Sequence, residues 1–213
     1  MKHNSFIAYE GFPFILASLV LTILAVIFGV LWLAVLLAAI TVFIVCFFRN
    51  PERYFQDEDK LVICPADGKI IRIEDVDVQG TMTGRFKKIS IFMNVFNVHV
   101  NRAPFDGTIG KISYHKGKFL SANLDKASAE NERNEIMIRT KDGREIWAVQ
   151  IAGLIARRIV CWTSEGANIK KGERFGLIRF GSRVEVFLPP DSRIVVKLGD
   201  KVRAGQTPLG YFS

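Results

Sequence analysis

The sequence predicts a mostly β fold: a duplicated β-sandwich, or flattened barrel, preceded by an apolar helical hairpin. Three observations carry that prediction. No charged side chain occurs from Pro13 to Phe48, the chain beyond Asn50 breaks into short β-prone runs punctuated by glycine, and two motifs occur twice in that second part. Residues 1–48 therefore read as a membrane-associated segment and 49–213 as one β-rich domain.

The uncharged stretch is well beyond the about 20 residues that a single spanning helix needs. Gly29 lies near its middle, so a break around Phe28 to Val30 would give two short apolar helices that enter a membrane and return, both ends on one side. Arg49 and Arg53 follow at once, and an excess of Lys and Arg beside a membrane segment marks the cytoplasmic face. The expected location is the cell membrane, with the β-rich domain in the cytoplasm. A cleaved signal peptide fits worse, because the apolar run is too long and lacks a small-residue cleavage site at its end.

After the linker Asn50-Pro51-Glu52-Arg53, the runs Lys88 to Met93, Glu145 to Ile151 and Ile194 to Leu198 read as strands. Only Asp125 to Asn134, rich in Ala, Glu and Lys, has helical composition, and its Asn and Ser residues suit a loop equally. The first echo is Pro65-Ala66-Asp67-Gly68-Lys69-Ile70 against Pro104-Phe105-Asp106-Gly107-Thr108-Ile109. The second is Gly166-Ala167-Asn168-Ile169-Lys170-Lys171-Gly172 against Gly199-Asp200-Lys201-Val202-Arg203-Ala204-Gly205, each with a β-branched residue between two turn glycines. Two β-units that cannot bury their apolar faces alone would pack face to face. The paired motifs resemble those of biotinyl and lipoyl carrier domains, whose strands form a small flattened barrel.

Only Lys2 and Glu10 are charged before Arg49, so the formal net charge of +8 resides in the part from Arg49 onward. A basic domain tethered to a bilayer is drawn to anionic lipid head groups, and the tether disfavours nucleic acid as the partner. Three cysteines, Cys46, Cys64 and Cys161, show neither CxxC nor Cys/His spacing, which indicates no disulfide framework and no metal site.

His3 precedes the apolar stretch, leaving His99 and His115 for acid and base work. His99 stands in the alternating run Phe96-Asn97-Val98-His99-Val100-Asn101-Arg102. In Arg179-Phe180-Gly181-Ser182-Arg183-Val184-Glu185, Gly-Ser interrupts an apolar run, and a glycine there marks a bulge or strained turn that leaves its carbonyl open to the serine hydroxyl. That arrangement suits an N→O acyl shift, although Gly-Ser alone is common in ordinary turns. His115 has two readings, a substrate contact together with Lys116 and Lys118, or a solvent-facing turn residue.

Phe48-Arg49-Asn50-Pro51, Pro65-Ala66-Asp67-Gly68, Phe96 to Arg102, Asn131-Glu132-Arg133-Asn134 and Phe180-Gly181-Ser182 stand in the order of one family. With these five blocks the chain resembles the phosphatidylserine decarboxylases, particularly their short bacterial form, over essentially its whole length. The resemblance implies a proenzyme that cuts itself between Gly181 and Ser182 into a β chain of residues 1–181 and an α chain of residues 182–213, which stay together as a heterodimer.

It further implies that Ser182 attacks the Gly181 carbonyl, that β-elimination leaves dehydroalanine, and that hydrolysis gives a pyruvoyl group and ammonia. His99 with Asp67 would activate Ser182 as base and orienting partner. The covalent pyruvoyl would form a Schiff base with phosphatidylserine and act as electron sink, with neither pyridoxal phosphate nor metal. The product would be phosphatidylethanolamine.

The long form carries Leu-Gly-Ser-Thr where this chain has Phe180-Gly181-Ser182-Arg183, and a second histidine where this chain has Arg102, so His99 would serve both cleavage and decarboxylation. The alternatives are a non-catalytic membrane adaptor or carrier and a decarboxylase for another serine phospholipid such as archaetidylserine. A carrier would show a Met-Lys-Met-like tip, which is absent from the sequence, and an adaptor would leave Asp67, His99 and Gly181-Ser182 without a purpose.

Overall fold

The computed structural model describes residues 5–118, 121, 130–153, 158–179 and 182–213. The chain divides into two compact units, Met1–Glu52 and Arg53–Ser213.

In the first unit a 3-10 turn, Tyr9–Gly11, leads into α1 (Phe12–Ile27), and α2 (Leu31–Phe47) returns. Pro13 sits in the first turn of α1, where a missing N–H costs nothing. Gly29, at φ +71°, ends that helix: Val30 N donates to Ala25 O and Gly29 N to Val26 O, closing the C-terminus through a left-handed residue. The break expected around Phe28 to Val30 is therefore present, and its cause is the freedom of Gly29.

The hydroxyls of Ser18 on α1 and Thr41 on α2 meet at 3.0 Å, and Ser18, Ala25 and Ala34 are buried, the small residues that let helices approach in lipid. At the open end, Ala8 N donates to Phe48 O and Asn50 N to Phe6 O, so both ends of the hairpin are clasped together. Leu, Val, Ile, Phe and Trp side chains along both helices remain exposed, and Tyr9–Ile27 is long and apolar enough to cross a membrane.

The second unit is all β among its described elements: β1 (Leu61–Ile63), β2 (Gly68–Val78), β3 (Gly84–Met93), β4 (Val100–Arg102), β5 (Gly107–His115), β6 (Arg133–Arg139), β7 (Glu145–Ala152), β8 (Ile159–Cys161), β9 (Asn168–Ile169), β10 (Arg174–Ile178), β11 (Ser182–Leu188), β12 (Arg193–Ile194), β13 (Lys201–Val202) and β14 (Pro208–Tyr211). An eight-stranded sheet runs β13-β2-β3-β11-β7-β6-β5-β9, and two three-stranded sheets run β1-β14-β12 and β4-β10-β8. Ile70, Ile91, Ile136, Ala148, Val184 and Val186 of the large sheet share one core with Val62 and Leu209 of one small sheet and Phe175 and Ile178 of the other. Phe86, Met137, Trp147, Val149 and Phe187 form a second cluster, so β7 and β11 bury both faces and read as continuous apolar runs.

The repeated motifs pair with each other. Gly68 lies opposite Val202, and Gly107 opposite Ile169. Ile70 N donates to Asp200 O as Ile109 N donates to Ala167 O, and Gly205 N reaches Cys64 O as Gly172 N reaches Ala103 O. The order of the large sheet is accordingly a palindrome: β1, β2, β3 and β11 to β14 make one half, β4 to β10 the other. The second half is inserted into the first, between β3 and β11. Following the registers of β2 with β3, β5 with β6, β3 with β11 and β6 with β7, Ile91 matches Ile138, Val184 matches Ile146, and Ser182 matches Arg144.

Two expectations change in detail. Of Ile194 to Leu198, only Ile194 lies in a strand, because Asp200 Oδ2 accepts from Lys197 N and turns the chain. Of Asp125 to Asn134, residues 125–129 lie outside the described residues, Glu130 has helical backbone, and Arg133 and Asn134 begin β6.

Candidate active site

Ser182 opens β11, fully buried, between Met93 at the end of β3 and Ala152 at the end of β7. Its parity matches Val184, Val186 and Leu188, so its side chain points into the sandwich core, where Oγ lies 3.4 Å from Met93 Sδ. Phe180 and Gly181 lie outside the described residues, so the bond before Ser182 is fixed here only by its C-terminal partner.

Polar groups gather beside Ser182. Asn134 Nδ2 donates to Gln150 Oε1 at 3.1 Å, Gln150 Nε2 to Asn101 Oδ1 at 2.8 Å, and Asn101 Nδ2 approaches Met93 Sδ at 3.8 Å. All three amides are buried to within 2% of exposure. Asn131 Nδ2 donates to Ala152 O at 2.7 Å, holding the strand end that faces Ser182. Asn101, Asn131 and Asn134 lie inside blocks that the sequence singles out, but Gln150 was missed. Its signal was available: it holds the core parity of Ile146, Ala148 and Ala152 in a strand with no other amide.

His99 is 2% exposed, in the segment between β3 and β4. Its backbone carbonyl accepts from Ile178 N at 3.4 Å, on the strand that leads toward Gly181 and Ser182. Its Nδ1 lies 3.0 Å from Asn97 O. A carbonyl only accepts, so Nδ1 carries the hydrogen and Nε2 is the basic nitrogen.

Asp67, 7% exposed, immediately precedes β2. Oδ1 accepts from Ala204 N at 2.7 Å and Oδ2 from Arg53 at 3.0 Å, and Arg53 also donates to Gln206. Those partners, rather than His99, take the carboxylate in this conformation, and the Ser182 hydroxyl faces a sulfur rather than an imidazole.

When the two halves are matched, Asp67, His99, Met93 and Ser182 correspond to Asp106, Lys60, Thr140 and Arg144, and these last four line one pocket of about 730 Å³. Phe212 N donates to Lys60 O as Ile178 N donates to His99 O.

His115 closes β5 opposite Arg133, with Nε2 3.4 Å from Glu135 Oε2. Arg133 and Glu135 alternate with the core residues Ile136 and Ile138, so His115 sits on the face of the sheet away from the Ser182 side chain. Lys116 is exposed, and Lys118 pairs with Glu130 at 3.0 Å. On that outer face the buried Arg183 pairs with Glu185 at 3.2 Å. Burial pushes the guanidinium below its usual range and the carboxylate offsets part of that shift. Tyr114, on the core side of β5, is pushed up to about 12 by burial and by its hydrogen bond to Glu132.

The family model described as phosphatidylserine decarboxylase matches residues 40–210. The chain is similar to the phosphatidylserine decarboxylase proenzyme of Syntrophus aciditrophicus, 58% identical over 213 residues and the whole of both chains. The proenzymes of the same name from Desulfotalea psychrophila and Magnetococcus marinus are 50% and 46% identical, covering 96% and 99% of this chain and 95% and 97% of theirs.

Proposed function

Because the chain belongs to the phosphatidylserine decarboxylase family of carboxy-lyases, we propose that it is a proenzyme that cuts itself before Ser182 and then decarboxylates phosphatidylserine to phosphatidylethanolamine. The observation that carries this reading is the place of Ser182. It is a buried serine at the first position of a central strand, against the Met93 sulfur at which a row of buried amides ends, where the matching half of the fold carries Arg144 on a closed hairpin.

In the cut, Ser182 Oγ attacks the Gly181 carbonyl and His99 Nε2 takes the hydroxyl proton, because serine is a weak nucleophile at its ordinary pKa. His99 is well held to act as that base, since the Asn97 carbonyl fixes its tautomer and its own carbonyl is tied to Ile178, four residues before Ser182. Asp67 shapes the turn ahead of β2 and, through Arg53, the start of the domain. Its support of His99 is the part that the family resemblance adds.

The residues around position 182 fit a small carbonyl group there, since the site is enclosed, and the Asn101 amide and the Ser182 hydroxyl point at the same sulfur. A pyruvoyl group in that place supplies an electron-accepting carbonyl for the pair left when CO₂ departs. His99 Nε2 then returns a proton to the substrate carbon. The exposed apolar hairpin and the +8 charge would hold the enzyme at an anionic membrane, on the cytoplasmic face beside Arg49 and Arg53.

An intact-mass measurement tests the reading. Two fragments are expected, residues 1–181 and 182–213, the smaller lighter by one ammonia than a simple hydrolytic product. A single chain, or a small fragment beginning with an unmodified serine, would overturn it.

A further inference from the structure

The two halves of the sandwich act as an internal control on what the fold requires. At matching positions, Val62 on β1 corresponds to Asn101 on β4, since each lies opposite a glycine, Gly210 and Gly176. Leu188 on β11 corresponds to Gln150 on β7, by the match of Val184 with Ile146. Val62 and Leu188 are core residues, fully buried. The fold therefore needs only an apolar side chain at these two places, and burying amides there instead is costly unless they do something else.

The amides form a directed chain. Each donates toward the next, from Asn134 to Gln150 to Asn101, and the last N–H points at the Met93 sulfur that also receives the Ser182 hydroxyl. Aligned dipoles reinforce one another in a low-dielectric interior, and here their positive end faces the Met93 sulfur that adjoins the Ser182 hydroxyl. That is where negative charge appears when the Ser182 oxygen gives up its proton and attacks. A thioether is a weak, polarisable acceptor, so it holds the hydroxyl without competing for its proton.

We propose that Asn101 is a positioning residue for Ser182, aimed by Gln150 and Asn134 and acting through Met93 to favour self-cleavage. This rests on the self-cleavage reading above. The chain Asn134, Gln150, Asn101 joins β6, β7 and β4, so its function is to set the electrostatics of the core at one end of the sandwich only.

The test replaces both amides by the residues of the other half, Asn101→Val with Gln150→Leu, in the full-length chain. Replacing both partners avoids leaving one buried group unpaired. The double variant should keep or raise the thermal transition while cutting itself about tenfold more slowly, the loss expected for one aimed donor. Asn101→Val alone should be as slow as the double variant, because Gln150 acts through Asn101. Val62→Thr, which buries a hydroxyl in the other half, should lower the transition without slowing cleavage. A double variant that cleaves at the wild-type rate would overturn the proposal, and so would cleavage rates that follow stability across all three proteins. A wild-type chain that stays whole would instead overturn the self-cleavage reading itself, and this inference with it.

Discussion

Asp67 and Asp106 make the same hydrogen bond in the two halves of the fold: Asp67 Oδ1 accepts from Ala204 N at 2.7 Å, and Asp106 Oδ1 from Lys171 N at 2.8 Å. Each locks a glycine turn to the strand it precedes. Among the described residues Asp67 adds an ion pair with Arg53, which Asp106 lacks. Asp67→Ala and Asp106→Ala should each cost about 1–2 kcal/mol of stability through the lost turn bond. Only Asp67→Ala should also slow self-cleavage. Equal cleavage by the two folded variants would remove Asp67 from the site and leave it a turn residue.

Ser182→Ala removes the nucleophile from a site where the hydroxyl contacts only a sulfur among its described partners. The variant should fold normally and remain one chain on a denaturing gel. His99→Ala should behave alike, with circular dichroism to show that the buried ring was dispensable for folding. Cleavage at 181–182 in either folded variant would exclude the assigned nucleophile or base.

The hairpin and the charge make separate contributions at the membrane. Raising the ionic strength shortens the screening length from about 10 Å at 0.1 M, so turnover on anionic vesicles should fall with salt. Turnover on neutral detergent micelles should change little. Salt-independent activity on vesicles would mean that the apolar helices alone supply the attachment.

Glu74 bonds to Lys88 Nζ at 2.8 Å and to Arg72 at 3.2 Å, and the Lys88 hydrogen bond holds its carboxyl below the usual 4.5. The folded chain thus binds this proton less tightly than the unfolded chain. The stabilisation is full above 4.5 and disappears as pH falls through the lower, folded-state value. Lys88→Met should flatten the acid side of the stability curve, by a small amount because both groups are partly solvated. An unchanged acid limb would show that the pair contributes nothing.

The hairpin was legible because its signals are local: a long uncharged run, and Gly29 where the chain must adopt a left-handed residue. The duplication was legible through Asp67-Gly68 and Asp106-Gly107, since each glycine turn carries its own composition. The insertion of one half into the other was not, because nothing local distinguishes β11, which follows β10 in sequence, as the missing neighbour of β3. The amide chain was hidden for the same reason: Asn101 and Gln150 are 49 residues apart and meet only through the order of the strands. His115 illustrates the opposite case, a suitable residue type that ends on a strand face turned away from the Ser182 side chain.

The interleaved halves bear on what a break before Ser182 would do to the molecule. Strand β11 is hydrogen-bonded along its length to β3 on one side and β7 on the other, and β14 is clamped between β1 and β12. A fragment beginning at residue 182 would donate β11 as a central strand between β3 and β7 of the larger piece, and would add β13 to β2 and β14 to β1. Severing the backbone there subtracts one covalent link and none of these ladders. The cut protein should sediment, elute and melt as one body, and the freed strand terminus should gain its reactivity without the molecule gaining an exit for the piece that carries it.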